Sequence, residues 1–216
     1  RILQATLCFC TIESIEIVDL EEGVEARLWL KAEVAERNSR RRRMLLGPTG
    51  CGLCGVDSLA EALKPVPRIE GHLRVSPQQL FHAMAQVQSL QALNAATRAV
   101  HAAALITSDG SCIVREDVGR HNALDKVVGA AFQSGKDASN AFVVLTSRVS
   151  MELVQKTARL GAPLIAAVSA PTALAVRLAE AAGITVVGIL RHDGLEVFTS
   201  PERVREEAAH GRLENP

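Results

Sequence analysis

The pattern of apolar and polar residues near the start of the chain predicts a β-hairpin. Apolar and polar residues alternate in residues 14–19 (SIEIVD) and again in residues 24–30 (VEARLWL), which is the period of a half-buried strand. Residues 21–23 (EEG) lie between these stretches and can form the turn. A polar helix is predicted over residues 32–46, with the arginine run 40–43 near its end. Such a run is most often a solvated helix face, and the alternative is a docking patch for phosphates or an acidic partner.

From residue 76 onward the pattern changes to amphipathic helices and apolar strands. Residues 76–79 (SPQQ) predict a helix start, with Ser76 as N-cap, Pro77 in the first turn and Gln79 reaching back to the cap. The apolar stripe of this helix consists of Leu80, Phe81, Met84, Val87 and Leu90. Residues 99–118 then predict two strands joined by a turn at Asp109-Gly110.

The remaining pattern predicts an alternation of helices and strands. Asn122 is expected to cap a helix with Asp125 at its third position, followed by the apolar positions Leu124, Val127, Val128, Ala131 and Phe132. The later elements are strand 141–145, helix 150–160, strand 164–168, helix 172–182, strand 184–189 and an edge strand near 196–199. Continuous apolar strands that alternate with helices indicate a parallel or mixed sheet covered on both faces.

The predicted fold is therefore α/β, with a mixed sheet flanked by helices on both faces. Residues 67–216 are expected to form this core domain. Residues 1–66 are expected to form a small N-terminal appendage, which carries the hairpin, the arginine-rich helix and a mobile loop with two cysteines.

Composition narrows the classes of function. The chain has 216 residues, 48% of them hydrophobic and 22% charged, which is ordinary for a globular protein with a sizeable core. Its formal net charge is zero, and it has no Tyr, one Trp and five Phe, so a nucleic-acid partner is not expected. No apolar run approaches the roughly 18 residues of a membrane span, so no membrane partner is expected either. Five unevenly spread cysteines favour a reducing compartment, the cytoplasm, over a disulfide framework.

The most reactive stretch in the sequence is the loop 46–55 (LGPTGCGLCG), in which Cys51 and Cys54 are three residues apart among glycines. Such a loop can ligate a metal, cycle between dithiol and disulfide, or carry sulfur as a persulfide. Structural zinc needs about four ligands. Cys8 and Cys10 could supply two more, but their spacing is unusual for zinc, so we expect no metal. A zinc deaminase is excluded because His101 is not followed by the required glutamate.

Three polar loops that lead from strands into helices form a second candidate site: residues 115–122 (REDVGRHN), 146–150 (TSRVS) and 169–172 (SAPT). Helix N-termini with nearby arginines bind anions, and ligands of α/β sheets bind beyond the carboxyl ends of the strands. The candidate binding residues are Arg120, His121, Asn122, Ser147, Arg148, Ser169 and Thr172. The alternative is plain helix capping by Asn122, Ser150 and Thr172. His101 and Cys112 are expected to be core residues, and Asp117, Asp125 and Lys126 to form ion pairs.

Several long strings then carry a family resemblance: GPTGCGLCGVDSL, HAAAL, REDVGRHNALDKVVG, TSRVSMELVQKTA and SAPTALAVRLAEAAGITVVGILR. From residue 14 to residue 204 the chain resembles the FdhD family, the formate dehydrogenase accessory sulfurtransferases. The resemblance implies a fold related to the cytidine deaminases, without their zinc chemistry, and usually a homodimer.

The resemblance also implies a function. In this family a cysteine desulfurase hands sulfur to the cysteine loop, here with Cys51 as persulfide carrier and Cys54 assisting. The sulfur then passes to the molybdenum (or tungsten) bis-molybdopterin guanine dinucleotide cofactor destined for formate dehydrogenase, which GDP or GMP should mimic. A loop after the last core strand is associated with cofactor binding, and its residues here are Ile189, Leu190, Arg191, His192, Asp193 and Gly194. The alternatives are a cofactor-binding chaperone without sulfur transfer, or a thiol–disulfide oxidoreductase.

Overall fold

The structure is a computed structural model, and it describes residues 12–20, 23–33, 35 and 66–205. The cysteine loop with Cys51 and Cys54, and most of the predicted arginine-rich helix, lie outside the described residues. Contacts between α-carbons divide the chain into two compact units, Arg1–Lys64 and Pro65–Pro216.

In the first unit the described residues form a two-stranded antiparallel hairpin. Strand β1 spans Ile12–Leu20 and strand β2 spans Gly23–Leu30. On one face Ile15 lies opposite Leu28 and Ile17 opposite Ala26, so the alternating apolar positions share a side. The predicted hairpin is thus confirmed.

The second unit is a mixed α/β domain. Its strands are β3 (His101–Thr107), β4 (Cys112–Asp117), β5 (Ala141–Leu145), β6 (Leu164–Ala167), β7 (Thr185–Arg191) and β8 (Gly194–Val197). Its helices are α1 (Pro77–Ser89), α2 (Ala92–Thr97), α3 (Arg120–Gln133), α4 (Met151–Leu160) and α5 (Ala173–Ala182), with a 3-10 turn at Pro201–Arg203. The elements predicted from residue 76 onward are therefore all present, with shifts of a few residues at the boundaries, whereas α2 and the 3-10 turn were not predicted.

The six strands form one sheet in the order β4-β3-β5-β6-β7-β8. Strands β5, β6 and β7 are mutually parallel, whereas the other neighbouring pairs are antiparallel. It follows that β3 and β8 run in one direction, whereas β4, β5, β6 and β7 run in the opposite direction. Their carboxyl ends, with the amino end of β3, lie at one edge of the sheet, which we call the carboxyl edge. The opposite edge is the amino edge.

Each face of the sheet carries its own apolar core. Helices α3, α4 and α5 cover one face, where Leu105, Val143 and Ile165 are fully buried. Helix α1 covers the other face and packs Leu80 and Val87 onto the alternate strand residues. Because successive strand side chains point to opposite faces, strands β3 to β7 each contribute to both cores, and this requires nearly continuous apolar strands. The predicted mixed sheet with helices on both faces is confirmed.

Local sequence signals predict the start of α1 correctly but not the start of α3. The capping box of α1 is present: the Ser76 hydroxyl accepts from the Gln79 backbone N–H at 3.2 Å, and the Gln79 side chain accepts from the Ser76 N–H at 2.8 Å. The predicted cap of α3 is wrong, since the helix begins at Arg120 with Gly119 as N-cap. The amide of Asn122 instead donates to Asp117, at 3.1 Å.

Two residues of the predicted apolar stripes are not core residues. Leu90 is 51% exposed because α1 ends just before it, and Phe132 is 56% exposed in the last turn of α3. Both lie at the end of their helix. Periodicity places a residue on a face of its helix, but it does not say where along the helix the burial ends.

Candidate functional site

The three predicted polar loops all lie at the carboxyl edge, because they follow β4, β5 and β6. Hydrogen bonds join the second loop to a strand and to the third loop. The backbone N–H of Ala102 in β3 donates to the Thr146 hydroxyl at 2.8 Å, which fixes the second loop against the strand beside β4. The Thr172 N–H donates to the Val149 carbonyl at 3.0 Å, which fixes the third loop against the second. The second and third loops are therefore in direct contact, and the first loop lies at the same edge.

The first loop is held by a single carboxylate, that of Asp117. Its Oδ1 accepts from the Gly119 N–H at 2.8 Å and from the Asn122 amide at 3.1 Å. The Lys126 ammonium lies 2.7 Å from Oδ2. Burial alone would raise the pKa of Asp117, but the hydrogen bonds from Lys126, Gly119 and Asn122 outweigh it, so the pKa lies below its ordinary value. Asp117 is therefore a carboxylate at neutral pH, and the loop closes around it.

His121 lies in the packing between two helices and is only 3% exposed. Its Nδ1 is 3.2 Å from a carboxylate oxygen of Glu152 in the first turn of α4. The Lys156 ammonium donates to the His121 carbonyl at 3.2 Å and pairs with Asp125 of α3. These contacts bind the starts of α3 and α4 to each other. The predicted ion pair of Asp125 is present, although its partner is Lys156.

The second loop buries its hydroxyl groups and exposes its charge. Ser147 is 5% exposed, and its hydroxyl donates to the carbonyl of Arg148 at 3.1 Å, while the Arg148 side chain is exposed. Ser150 is 1% exposed and occupies the N-cap of α4, yet its side chain makes no capping bond. Its Oγ has no hydrogen-bond partner in the part of the protein that the structure describes. A capping hydrogen bond therefore does not explain why a buried serine occupies this N-cap position.

The third loop behaves differently, since Thr172 does cap α5. Its hydroxyl accepts from the Ala175 N–H at 3.2 Å. Ser169 is half-buried, and its carbonyl oxygen lies close to β7: a Cβ built on Gly188 would be 3.2 Å from it. The same Cβ would be 2.8 Å from the Phe198 ring and 3.0 Å from Pro171 Cδ. A glycine at 188 thus lets β7 approach the third loop.

The predicted cofactor loop 189–194 is mostly not a loop, which corrects the sequence interpretation. Strand β7 continues to Arg191 and β8 begins at Gly194, so only His192 and Asp193 form the turn. The pairing of β7 with β8 shifts register between Gly188 and Arg191. Such irregularities re-aim side chains near the ends of sheets. The strand was extended beyond the prediction by its pairing with β8, which local sequence does not report.

Ile189 sits inside this irregularity with a φ of 51°. The left-handed region is costly for a β-branched residue, and such strain persists only where surrounding structure enforces it. Next to it Leu190 is 1% exposed, whereas Arg191, His192 and Asp193 are exposed. Hence the turn presents polar side chains at the carboxyl edge while Leu190 anchors it in the core.

Sequence reasoning assigned His101 to the core, but the structure places it at the carboxyl edge. It is the first residue of β3, lies opposite Asp117 of β4 and is half-buried. Burial and the positive charge of Arg120 lower its pKa, and a hydrogen bond with the Thr146 backbone opposes them. The net shift favours a neutral imidazole. The predicted turn at Asp109-Gly110 contained the signal, since antiparallel pairing puts the start of one strand beside the end of the next.

Within the described ranges, no group of three or more His, Cys, Asp or Glu side chains could hold a metal ion. Cys112 in β4 is half-buried, and burial raises the pKa of its thiol, so it is a poor nucleophile. Among these same residues, no helix combines the length and the apolar character needed to cross a membrane.

Comparison with known proteins identifies the family. The model of the FdhD/NarQ family matches residues 8–205, a range that includes Cys51, Cys54 and the whole carboxyl edge. The chain belongs to the FdhD/NarQ family. This confirms the resemblance read from the sequence strings.

Among curated family members, the chain is 44% identical over 195 residues to "Sulfur carrier protein FdhD" of Agrobacterium fabrum, covering 89% of this chain and 72% of that protein. It is 46% identical over 199 residues to the protein of the same name from Cupriavidus necator, covering 92% of this chain and 69% of that one. A solved structure, "a putative formate dehydrogenase accessory protein from Desulfotalea psychrophila", matches with a TM-score of 0.65 and 25% identity, over 90% of this chain and 72% of that one.

Proposed function

We propose that this protein is a sulfur carrier that serves formate dehydrogenase. Cys51 accepts sulfur as a persulfide from a cysteine desulfurase and passes it to the molybdenum (or tungsten) bis-molybdopterin guanine dinucleotide of that enzyme. The observation that carries the proposal is family membership over residues 8–205, together with relatives named as sulfur carriers and a similar structure titled as a formate dehydrogenase accessory protein. This activity makes the protein a sulfurtransferase.

The chemistry of loading needs only an accessible thiolate. The Cys51 thiolate attacks the outer sulfur of a persulfide on the desulfurase, so one sulfur–sulfur bond forms, another breaks, and the desulfurase cysteine leaves as thiolate. No outside oxidant or reductant is consumed. Cys54, three residues on, can attack the outer sulfur and take it over, with Cys51 leaving as thiolate. It can also attack the Cys51 sulfur, which forms a Cys51–Cys54 disulfide, breaks the bond to the outer sulfur and releases that sulfur as sulfide. Flanking glycines leave Cys51 the less hindered of the two.

The carboxyl edge is the proposed binding surface for the guanine dinucleotide part of the substrate. The first turns of α3, α4 and α5 lie at this edge. Arg120 is the first residue of α3, Arg148 lies three residues before α4, and Arg191 ends β7, whose carboxyl end lies at the same edge. Helix N-termini and arginines each favour phosphate by about 1–2 kcal/mol. GDP and GMP should therefore bind as mimics, with Arg191 and Gly194 of the β7–β8 hairpin beside the ligand.

We also infer an evolutionary relationship of the core to the cytidine deaminases, a homodimeric assembly and a cytoplasmic location. The mixed sheet with helices on both faces supports the first. The zinc chemistry of those enzymes is not expected, because Ala102-Ala103 follows His101 where they have a glutamate. The cytoplasmic location rests on the pattern of cysteines.

Intact mass after incubation with a cysteine desulfurase and cysteine tests the proposed function. We expect the protein to gain the mass of one sulfur atom, and the gain to be reversed by a reductant. Cys51→Ala should abolish both the gain and the activation of formate dehydrogenase. Cys112→Ala is the matched control, since it removes a half-buried thiol whose pKa is raised by burial and which is therefore a poorer nucleophile. Sulfur uptake and activation by Cys51→Ala would contradict the assignment.

The same measurements separate the alternatives. A chaperone would activate formate dehydrogenase without any gain of sulfur by the wild-type protein. A thiol–disulfide oxidoreductase would lose two hydrogen masses on oxidation and show a defined reduction potential for Cys51 and Cys54.

A further inference from the structure

The starts of α4 and α5 lie side by side at the carboxyl edge. Val149 and Pro171 form a parallel β-bridge, and the Thr172 N–H donates to the Val149 carbonyl at 3.0 Å. The next residue of each segment, Ser150 or Thr172, is the N-cap of its helix, and both N-caps have an extended backbone. Side chains at equal register on neighbouring parallel segments point to the same side. The Ser150 and Thr172 side chains therefore point toward the same pair of helix starts.

The two N-cap hydroxyl groups are used differently. The Thr172 hydroxyl accepts from the Ala175 N–H at 3.2 Å, as the side chain of an N-cap normally does. In α4 the Leu153 and Val154 N–H groups instead donate to the Ser150 carbonyl, at 3.0 and 3.2 Å. Ser150 is only 1% exposed, and within the described residues its Oγ has no hydrogen-bond partner. A buried hydroxyl without a partner is unfavourable, so its presence at this helix start indicates a partner that a ligand supplies.

We propose that the paired N-termini of α4 and α5 form a phosphate-binding site, in which the Ser150 hydroxyl donates to a phosphate oxygen. The proposal deepens the proposed function and rests on it, because the guanine dinucleotide of that function supplies the phosphate. In each helix the N–H groups of the first two residues have no acceptor within the helix, and these residues are Met151, Glu152, Ala173 and Leu174. Two sets of such N–H groups, at the positive ends of two helix dipoles, favour an anion. The hydroxyl adds a donor between them.

One negative charge lies close to this site, that of Glu152 in the first turn of α4. Its carboxylate is 3.2 Å from Nδ1 of His121 in α3, so it is directed at α3. The Ser150 N-cap lies instead against the N-cap of α5. The side chain of Arg148, two residues before Ser150, is exposed and offers a positive charge on the same loop. The local charges are therefore compatible with a phosphate beside Ser150.

The test is calorimetric titration of the full chain with GDP, and with inorganic pyrophosphate as a competitor of GDP. Ser150→Ala removes only the hydroxyl, and we expect it to weaken the binding of both probes about tenfold without lowering the midpoint of denaturant unfolding. Ser76→Ala is the matched control. Ser76 is also a buried N-cap serine, but its hydroxyl caps α1 by accepting from the Gln79 N–H, at the amino edge where the Val75 N–H bonds to the Arg203 carbonyl. Ser76→Ala should lower the unfolding midpoint and bind GDP within about twofold of wild type.

The two serines should thus respond in opposite ways. Wild-type affinity of Ser150→Ala for GDP, or an unfolding midpoint as low as that of Ser76→Ala, would overturn the proposal. Weaker binding of GDP with unchanged binding of pyrophosphate would also overturn it, because the hydroxyl would then contact the nucleoside. Absence of saturable binding of either probe to the wild-type protein would overturn the phosphate site itself. Sulfur gain at Cys51, measured by intact mass, reports on the proposed function separately: loading without binding contradicts this site alone, and binding without loading contradicts the sulfur carrier alone.

Discussion

The two edges of the sheet are built on different principles. At the amino edge, buried polar groups find partners. Arg203, 6% exposed, donates to the Gly71 carbonyl at 3.4 Å and to the Thr185 hydroxyl at 3.1 Å, and Thr185 donates to the Ser200 carbonyl at 2.8 Å. Thr199 makes two hydrogen bonds, of 2.7 and 2.8 Å, to the backbone around the start of β7. These bonds fasten the segment after β8 to the sheet and to the segment before α1.

The carboxyl edge carries features that are unfavourable for stability alone. Within the described residues the buried Ser150 hydroxyl has no hydrogen-bond partner. Ile189 has a left-handed backbone, a feature that Ser200 at the amino edge shares. His101 is half-buried with a depressed pKa, and Val118 projects into solvent. An unpaired buried group or a strained backbone costs roughly 1–3 kcal/mol. The unpaired hydroxyl lies beside three helix N-termini, which supports the binding site proposed at this edge on a scaffold stabilised elsewhere.

The largest expected effect on the free energy of unfolding comes from removing the buried hydrogen bonds of the amino edge. Arg203→Ala removes a buried guanidinium and strands its acceptors, so we expect the free energy of unfolding to fall by about 2–4 kcal/mol. GDP affinity, measured well below the unfolding temperature, should not change. Arg205→Ala is the control, since that exposed side chain makes one local bond to Glu202, and it should cost no more than about 0.5 kcal/mol. Thermal and denaturant unfolding provide the measurement. Equal losses for the two variants would mean that the amino edge does not stabilise the domain as described.

An intermediate effect is expected where the carboxyl edge meets β7. Gly188→Ala would put a methyl group 2.8 Å from the Phe198 ring and 3.0 Å from Pro171, so we expect a loss of about 1–3 kcal/mol in unfolding free energy. It should also displace the third loop and weaken GDP binding. Gly129→Ala in the middle of α3 meets nothing within 4 Å and should stabilise by about 0.5–1 kcal/mol. The same substitution, glycine to alanine, is therefore expected to lower the free energy of unfolding at position 188 and to raise it at position 129. A stabilised Gly188→Ala would show that β7 and the third loop are not packed closely.

Features that depend on local sequence could be predicted, whereas features that depend on long-range contacts could not. The cap at Ser76 and the left-handed glycine after α4, Gly161, are local signals, and the structure contains both. The start of α3 was mispredicted because the helix begins at Arg120, two residues before Asn122, where the Asp117 carboxylate accepts the Gly119 N–H. The location of His101 at the carboxyl edge can be predicted only when the pairing of β3 with β4 is known. Local propensity thus places most elements, whereas the detailed site depends on contacts between residues distant along the chain.

The smallest predicted effect compares two hydroxyl groups at the carboxyl edge itself. Thr172 caps α5, so Thr172→Ala should lower the free energy of unfolding by about 1 kcal/mol. Ser150 occupies the same position on α4 without a partner for its hydroxyl in the described residues, so Ser150→Ala should leave the stability unchanged or raise it by up to about 1 kcal/mol. Denaturant unfolding of both variants measures the difference. If the Ser150 hydroxyl serves a ligand, Ser150→Ala will bind GDP more weakly than wild type despite its undiminished stability. A loss of stability as large as that of Thr172→Ala would instead show that Ser150 is an ordinary cap, and would remove one of the features that set the carboxyl edge apart.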